Sequence, residues 1–301
     1  MERSLKEYLG EIRSIPLDSR LSDDAVVALM NIHLSVLTML VADGLEGEYG
    51  SAAFHRAAME KLYAICRRRS TDSQTLLRRS RLVPAMYTVF SMPDSVFDAR
   101  KYEACLTRSF RMADEWHERT KDARPQDRDA RIVEYGVLES ILEAFVYVVD
   151  ADREADRDYR WLMRRVGEWA SSLGDDGSWA GLPEDEAVRR LHILTGHANI
   201  AGDRRFDAQI ERALQLRYER IAGSDGIDCR TLCGLYWTLM RSIGRWDSRK
   251  LDTLADCAAR RAEAPQTTDP DQRLTYMAVH IDRACMTLHR ETKQKMLACS
   301  A

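Results

Sequence analysis

Two kinds of apolar pattern alternate along the chain, at intervals of roughly fifty residues. Segments of the first kind are apolar on most faces and carry one narrow polar stripe, as at 23–42 and 271–289. Segments of the second kind have one apolar and one charged face, with apolar side chains at helical spacing, as at Phe54, Ala58 and Leu62. Both patterns have the period of an α-helix rather than of a strand. The sequence therefore predicts an all-α chain built from helical hairpins.

The bounds of the expected hairpins follow from these segments. We place the first helices at 23–42, 75–92, 130–149, 185–201, 228–244 and 271–289, and the second helices at 51–68, 95–118, 157–172, 204–221 and 249–263. Each first helix begins near an acid that can cap backbone N–H groups: Asp23, Asp72, Asp129, Asp185, Asp228 and Asp271. Pro84 should kink the second of these helices or mark its start.

A helix that is apolar on most faces is buried on both flanks. It keeps polar side chains only where water or a ligand reaches them, because an unpaired buried polar group costs roughly 1–3 kcal/mol. We therefore expect the first helices to form an inner ring around a polar axial cavity, in an α/α toroid of about six hairpins. The alternative is an open α-solenoid, in which the same stripes face solvent. Either way, residues 1–301 are expected to form a single helical-repeat domain.

The sixth hairpin lacks a good second helix in the sequence. Residues 2–14 carry an apolar stripe of Leu5, Tyr8, Leu9 and Ile12. We expect this segment to pack beside residues 271–289. The first and last repeats would then meet and the ring would close.

Composition narrows the classes of partner and compartment. A formal net charge of −3 argues against a nucleic acid as the main partner. Seven cysteines without a short-domain spacing suit reduced thiols in a cytosol. The first residues lack the apolar core of a secretory signal, and we find no stretch that approaches 18 uncharged apolar residues, so we expect no membrane span and a cytoplasmic protein. The composition leaves open whether the chain binds a protein partner.

Polar side chains at spacings of three, four and seven share a helix face and form one stripe on several of the first helices. The stripes are Asp24, Asn31, Ser35 and Thr38; Tyr135, Glu139 and Glu143; Asp185, Arg189, His192 and Asn199; and Arg273, Tyr276, His280, Arg283 and Thr287. We expect these stripes to line the cavity. Their charged groups favour a hydroxylated or anionic small molecule over a hydrocarbon.

Two short motifs resemble those of α/α-toroid enzymes. GDDGSWAG, residues 174–181, resembles a loop of terpenoid cyclases and protein prenyltransferase β-subunits, and CGLYW, from Cys233 to Trp237, resembles the Cys-x-x-aromatic-Trp stretch of the latter. In that family the cysteine and an aspartate two residues earlier bind zinc. Here Thr231 stands at the acidic position, and the Asp-x-Asp-Asp acid of class II terpene cyclases is absent. The resemblance covers about 60 residues and implies the toroid fold without an activity.

Six-hairpin glycosidases and sugar epimerases share the toroid architecture, and a carbohydrate-active enzyme is our leading interpretation. A carboxylate pair across the cavity suits glycoside hydrolysis. We expect Asp185 and Glu139 to act as acid and base, His192 to transfer protons and Arg189 and Arg273 to contact anionic groups. The remaining expected ligand contacts are Trp179, Tyr135, Tyr276 and His280.

Each of these residues also has a structural interpretation. Acids at helical spacing often form a solvated face, and His192 is equally typical of a hydrogen-bonded histidine inside a helix ring. Cys229 and Cys233, four apart, could form half of a zinc site but are more typical of small apolar core residues. We therefore predict no metal and no cofactor. A non-catalytic helical-repeat binding protein and an isoprenoid cyclase or transferase remain the alternative functions.

Overall fold

The computed structural model describes residues 3–72, 181–202, 204–242 and 248–299, together with isolated positions at 82, 115, 135, 136, 138, 139, 160, 164, 167, 168 and 171. Within these residues the chain forms helices and no strand. The helices are α1 (Leu5–Ser14), α2 (Asp23–Asp43), α3 (Glu46–Tyr49), α4 (Ala52–Asp72), α5 (Glu184–Ala201), α6 (Asp207–Ala222), α7 (Cys229–Arg241), α8 (Ser248–Glu263) and α9 (Pro270–Cys299). The predicted all-α class is confirmed.

The helix bounds agree with the apolar pattern wherever both exist. All seven predicted helices in the described ranges are present, and their first residues lie within a few positions of the expected ones. The chief differences are the short α3, which the pattern did not indicate, and the continuation of α9 to Cys299. The helices expected at 75–92, 95–118, 130–149 and 157–172 lie outside the described residues, apart from the isolated positions.

Only one of the expected aspartate caps in the described helices is confirmed. Asp228 caps α7 by accepting a hydrogen bond from the Thr231 amide at 2.9 Å. Ser22 caps α2, accepting from the Ala25 amide at 3.0 Å, while Asp23 instead binds Arg69 of α4. Asp185 follows a Pro183 cap without a side-chain bond and lies in the first turn of α5. These first-turn acids complement the positive end of each helix without capping it.

The helices pack in two layers. In the first layer α5 packs on α7, α7 on α9, and α9 on α2. In the second layer α6 packs on α5 and α7, α8 packs on α7 and α9, and α4 packs on α2. Each of the described hairpins α2–α4, α5–α6 and α7–α8 thus places one helix in each layer, as the alternation of the two apolar patterns predicted.

Helix α1 packs on α9, as the apolar stripe of residues 2–14 predicted. The ring of Tyr8 lies 4.9 Å from that of His280, and the Tyr8 hydroxyl donates a 2.9 Å hydrogen bond to Glu263 of α8. Glu11 forms ion pairs with Arg3 at 2.6 Å and with Arg273 of α9 at 3.1 Å. The N-terminal helix is therefore part of the same core as the C-terminal helix.

One property of α2 differs from the expectation. Its residues 25–42 contain no Asp, Glu, Lys or Arg, so that within the described residues this one helix is long and apolar enough to cross a membrane. In the structure 61% of this segment is buried between other helices, and a core helix has the same length and composition.

Candidate functional site

A cavity with a volume of about 630 Å³ lies among the N-terminal halves of α2, α5, α7 and α9. Four helices therefore present the same end to one space. The lining residues described are Asp24, Val27, Ala28, Asn31, Gly136, Glu139, Asp185, Val188, Arg189, His192, Asp228, Cys229, Arg230, Thr231, Cys233, Gly234, Trp237, Asp269, Asp271, Gln272, Thr275 and Ala278. A pocket of this size accommodates a small molecule.

The structure brings four of the predicted site residues together. Glu139, Asp185, Arg189 and His192 all line the cavity. A guanidinium nitrogen of Arg189 lies 3.5 Å from Oε2 of Glu139, so the two side chains form an ion pair at the edge of the cavity. The stripe expected on the helix that begins near residue 185 therefore faces this space over its first three turns.

Tyr135 points to a different neighbour. It is 1% exposed, and its hydroxyl accepts a 2.8 Å hydrogen bond from Nε of Arg190 and lies 3.3 Å from Oε1 of Glu186. Tyr135 is not among the described residues that line the cavity. The Tyr135 hydroxyl is therefore engaged by α5, and its expected contact with a ligand stays a prediction.

The residues of the expected stripe on α9 are not among the described residues that line the cavity. Arg273 pairs with Glu11 of α1, and His280 stacks against Tyr8 of the same helix. Tyr276 is 4% exposed and packs in the core. Because α1 and α8 engage this face of α9, the cavity receives the neighbouring face, with Asp271, Gln272, Thr275 and Ala278. Trp179 and Glu143 lie outside the described residues.

His192 has a hydrogen-bonding partner that the sequence did not indicate. Its Nδ1 lies 3.0 Å from the hydroxyl oxygen of Thr238 on α7. The Thr238 hydroxyl in turn donates a 2.6 Å hydrogen bond to the carbonyl of Gly234, four residues earlier. No motif joins positions 192 and 238, since the contact depends on how α5 packs against α7.

Carboxylates outnumber cations in the cavity. Among the described residues it is lined by six carboxylates and two guanidinium groups. Asp228 also accepts a 2.6 Å hydrogen bond from the Thr231 hydroxyl, so its carboxylate is already hydrogen-bonded within the cap of α7. The partial positive charge of four helix N-termini offsets the remaining acids in part. The resulting field suits a polar ligand and does not favour an anionic one.

Two cysteine thiols face the same space. The sulfur atoms of Cys229 and Cys233 are 3.9 Å apart and both residues line the cavity. Burial raises the pKa of the Cys233 thiol well above its ordinary value, with the neighbouring Cys229 adding to the shift. The Cys233 thiol is therefore a weak acid in this position. Within the described part of the chain no group of three or more His, Cys, Asp or Glu side chains could hold a metal ion.

No protein-family model, no curated protein and no solved structure matches this chain. The resemblance to terpenoid cyclases and prenyltransferase β-subunits therefore stays an interpretation of two short motifs. The protein belongs to the all-α class.

Proposed function

We propose that this protein is an α/α toroid whose axial cavity binds a polar small molecule, with a carbohydrate-active enzyme of the glycoside hydrolase or epimerase type as the leading case. The observation that carries the proposal is the convergence of Asp185, Glu139, Arg189 and His192 on one cavity. Acids, a guanidinium and an imidazole in a single pocket are typical of a site that binds hydroxyl groups and moves protons.

The order of helix contacts supports the toroid. Helices α5, α7, α9 and α2 follow one another in the inner layer, and α1 occupies the outer position beside α9. The last and the first hairpins of the chain are therefore neighbours in space. An open solenoid of six hairpins would hold its two ends apart, so this contact favours the closed ring.

The proposed roles follow from the positions of the side chains. Asp185 and Glu139 come from different segments and act as acid and base on a bound sugar. Arg189 forms a 3.5 Å ion pair with the Glu139 carboxylate and so holds it at the cavity. His192 carries a proton between ligand and protein.

The composition of the cavity wall also bears on the two alternative functions. Among the described lining residues Trp237 is the only Phe, Tyr or Trp side chain, which gives little support to carbocation chemistry on an isoprenoid. The alternative of a non-catalytic helical-repeat binding protein keeps the cavity but predicts binding without turnover. The same experiment separates it from an enzyme.

The test is a ligand-observed NMR screen of neutral monosaccharides, disaccharides and short oligosaccharides, followed by product analysis for any that bind. Asp185→Asn and Glu139→Gln keep the shape of each side chain, and each should lower turnover by at least about 100-fold. Asp256→Asn on the exposed face of α8 is the matched control and should leave turnover unchanged.

Three results would count against the proposal. Unchanged turnover in Asp185→Asn and Glu139→Gln would refute the acid and base assignment. Binding without any product would favour the non-catalytic alternative. Failure of every sugar to bind, with a peptide or an isoprenoid bound instead, would overturn the substrate class.

A further inference from the structure

The proton between His192 and Thr238 can be located from two hydrogen bonds. A threonine hydroxyl carries one hydrogen and two acceptor lone pairs, whereas a carbonyl oxygen only accepts. Since Thr238 lies 2.6 Å from the Gly234 carbonyl, its single hydrogen is used in that bond. The 3.0 Å contact with His192 then requires the imidazole to donate. Nδ1 of His192 therefore carries a proton, and the neutral ring has its lone pair on Nε2.

Packing between α5 and α7 holds this arrangement in place. Thr238 is fully buried and His192 is 6% exposed, so water does not compete freely for either group. One helical turn before this pair, Gly234 faces Val188, and a Cβ at Gly234 would lie only 3.1 Å from Val188 Cγ1. Because Gly234 has no side chain, α5 and α7 can approach closely at this point. The next turn of each helix then brings Thr238 and His192 within hydrogen-bonding distance.

We propose that Thr238 is a positioning residue that fixes His192 in the Nδ1–H tautomer, so that Nε2 is the proton-accepting atom of the cavity. The inference rests on the proposed function in one respect: there, Nε2 accepts a proton from a substrate hydroxyl. The location of the proton itself is independent of any substrate. A free imidazole in water favours the opposite tautomer, with the proton on Nε2, and the protein therefore has to impose this one.

The experiment records long-range ¹H–¹⁵N correlation spectra of the ring nitrogens in the full-length protein labelled with ¹⁵N-histidine. Wild-type His192 should show a protonated Nδ1 and an unprotonated Nε2 at a pH where the ring is neutral. Thr238→Val removes the acceptor and should lose the Nδ1–H pattern, moving His192 toward the Nε2–H form. Thr238→Ser keeps the hydroxyl and should restore the wild-type pattern.

His289, which is partly exposed and pairs with Asp43 far from the cavity, is the internal control and should keep its spectrum in both variants. An Nε2–H tautomer in the wild type overturns the inference even if Thr238→Val fails to fold. An unchanged His192 spectrum in a folded Thr238→Val variant overturns it as well. The NMR experiment uses no ligand, so its outcome is independent of the sugar screen. A negative sugar screen would refute the proposed enzyme but would not affect the tautomer assigned to His192.

Discussion

Two buried imidazoles, His33 of α2 and His55 of α4, meet with their Nδ1 atoms 2.8 Å apart. One Nδ1 must donate and the other accept, so the rings hold opposite tautomers. Neither Nε2 has a hydrogen-bond partner in the described structure. Burial lowers the pKa of His33 to about 3 and that of His55 to about 4, with the neighbouring imidazole adding to the first shift and Arg13 to the second. The pair is therefore stable only when neutral.

This pair predicts a loss of stability in mild acid. In the unfolded chain both rings take up protons as the pH falls below the ordinary histidine pKa of about 6.5, whereas in the folded protein they stay neutral until about pH 4. The free energy of unfolding is therefore highest above about pH 6.5, the unfolded pKa. It falls as the pH drops from there to about 4, the folded pKa of His55. Each ring should lower the free energy of unfolding by about 2 kcal/mol at about pH 5.

Urea denaturation at a series of pH values measures this effect. A His33→Leu/His55→Leu double variant should have a flatter pH dependence than the wild type over that interval, whatever its stability at neutral pH. His289→Gln on α9 serves as the control, since it removes a partly exposed histidine whose partner, Asp43, lies at the C-terminal end of α2. Equal slopes for the double variant and the wild type would show that the buried pair does not titrate as described.

Three helices are joined by one buried carboxylate, Asp282 of α9. Its oxygens accept hydrogen bonds from the Ser35 hydroxyl of α2 at 2.6 Å and from the Tyr236 hydroxyl of α7 at 2.7 Å. Burial raises the pKa of Asp282, while the two donated hydrogen bonds act in the opposite direction. Asp282 lies one turn beyond Ala278, so this contact holds α2, α7 and α9 together next to the cavity.

Removal of one donor should weaken that junction. Tyr236→Phe leaves a buried carboxylate oxygen without its hydrogen bond and should lower the free energy of unfolding by about 1–3 kcal/mol, measured by guanidinium denaturation. Tyr218→Phe on α6 is the matched control, because Tyr218 packs beside Lys250 and its ring lacks such a buried bond. Equal effects of the two substitutions would contradict the role given to Asp282.

The sequence predicted the helices better than the faces they use. Apolar period alone located α2, α5 and α9, and on α5 the polar stripe of Asp185, Arg189 and His192 is the one that faces the cavity. On α9 two stripes compete, and periodicity cannot choose between Arg273 and Thr275. The choice is made by α1, whose Glu11 takes Arg273 as its partner. Contacts between distant segments, such as His192 with Thr238, carry no periodic signal at all.

At the scale of the whole molecule, the N-terminal helix belongs to the core formed by the C-terminal one. Leu9 of α1 is 2% exposed, and α1 packs directly on α9. Leu9→Ala should therefore lower the stability of the entire molecule by about 2–5 kcal/mol in one cooperative transition. Thermal unfolding followed by near-ultraviolet and far-ultraviolet circular dichroism measures whether both signals shift together.

Lys6→Ala on the exposed face of the same helix is the control, with an expected change within about 0.5 kcal/mol. If Leu9→Ala produced a separate early transition while the main midpoint stayed in place, α1 would be an appendage. In that case its contact with α9 would no longer support a closed ring.

Helices α2, α5, α7 and α9 use their two ends for different roles. Their opening turns supply the acids, thiols and imidazole of the cavity, while later turns hold the dense interior through side chains such as Met39, Tyr236 and Asp282. Substitution of the carboxylates in the opening turns, such as Asp24 and Asp185, should therefore change the cavity more than the packing of the later turns. A molecule bound in this cavity would therefore meet one end of all four helices, whereas the other end contributes to packing.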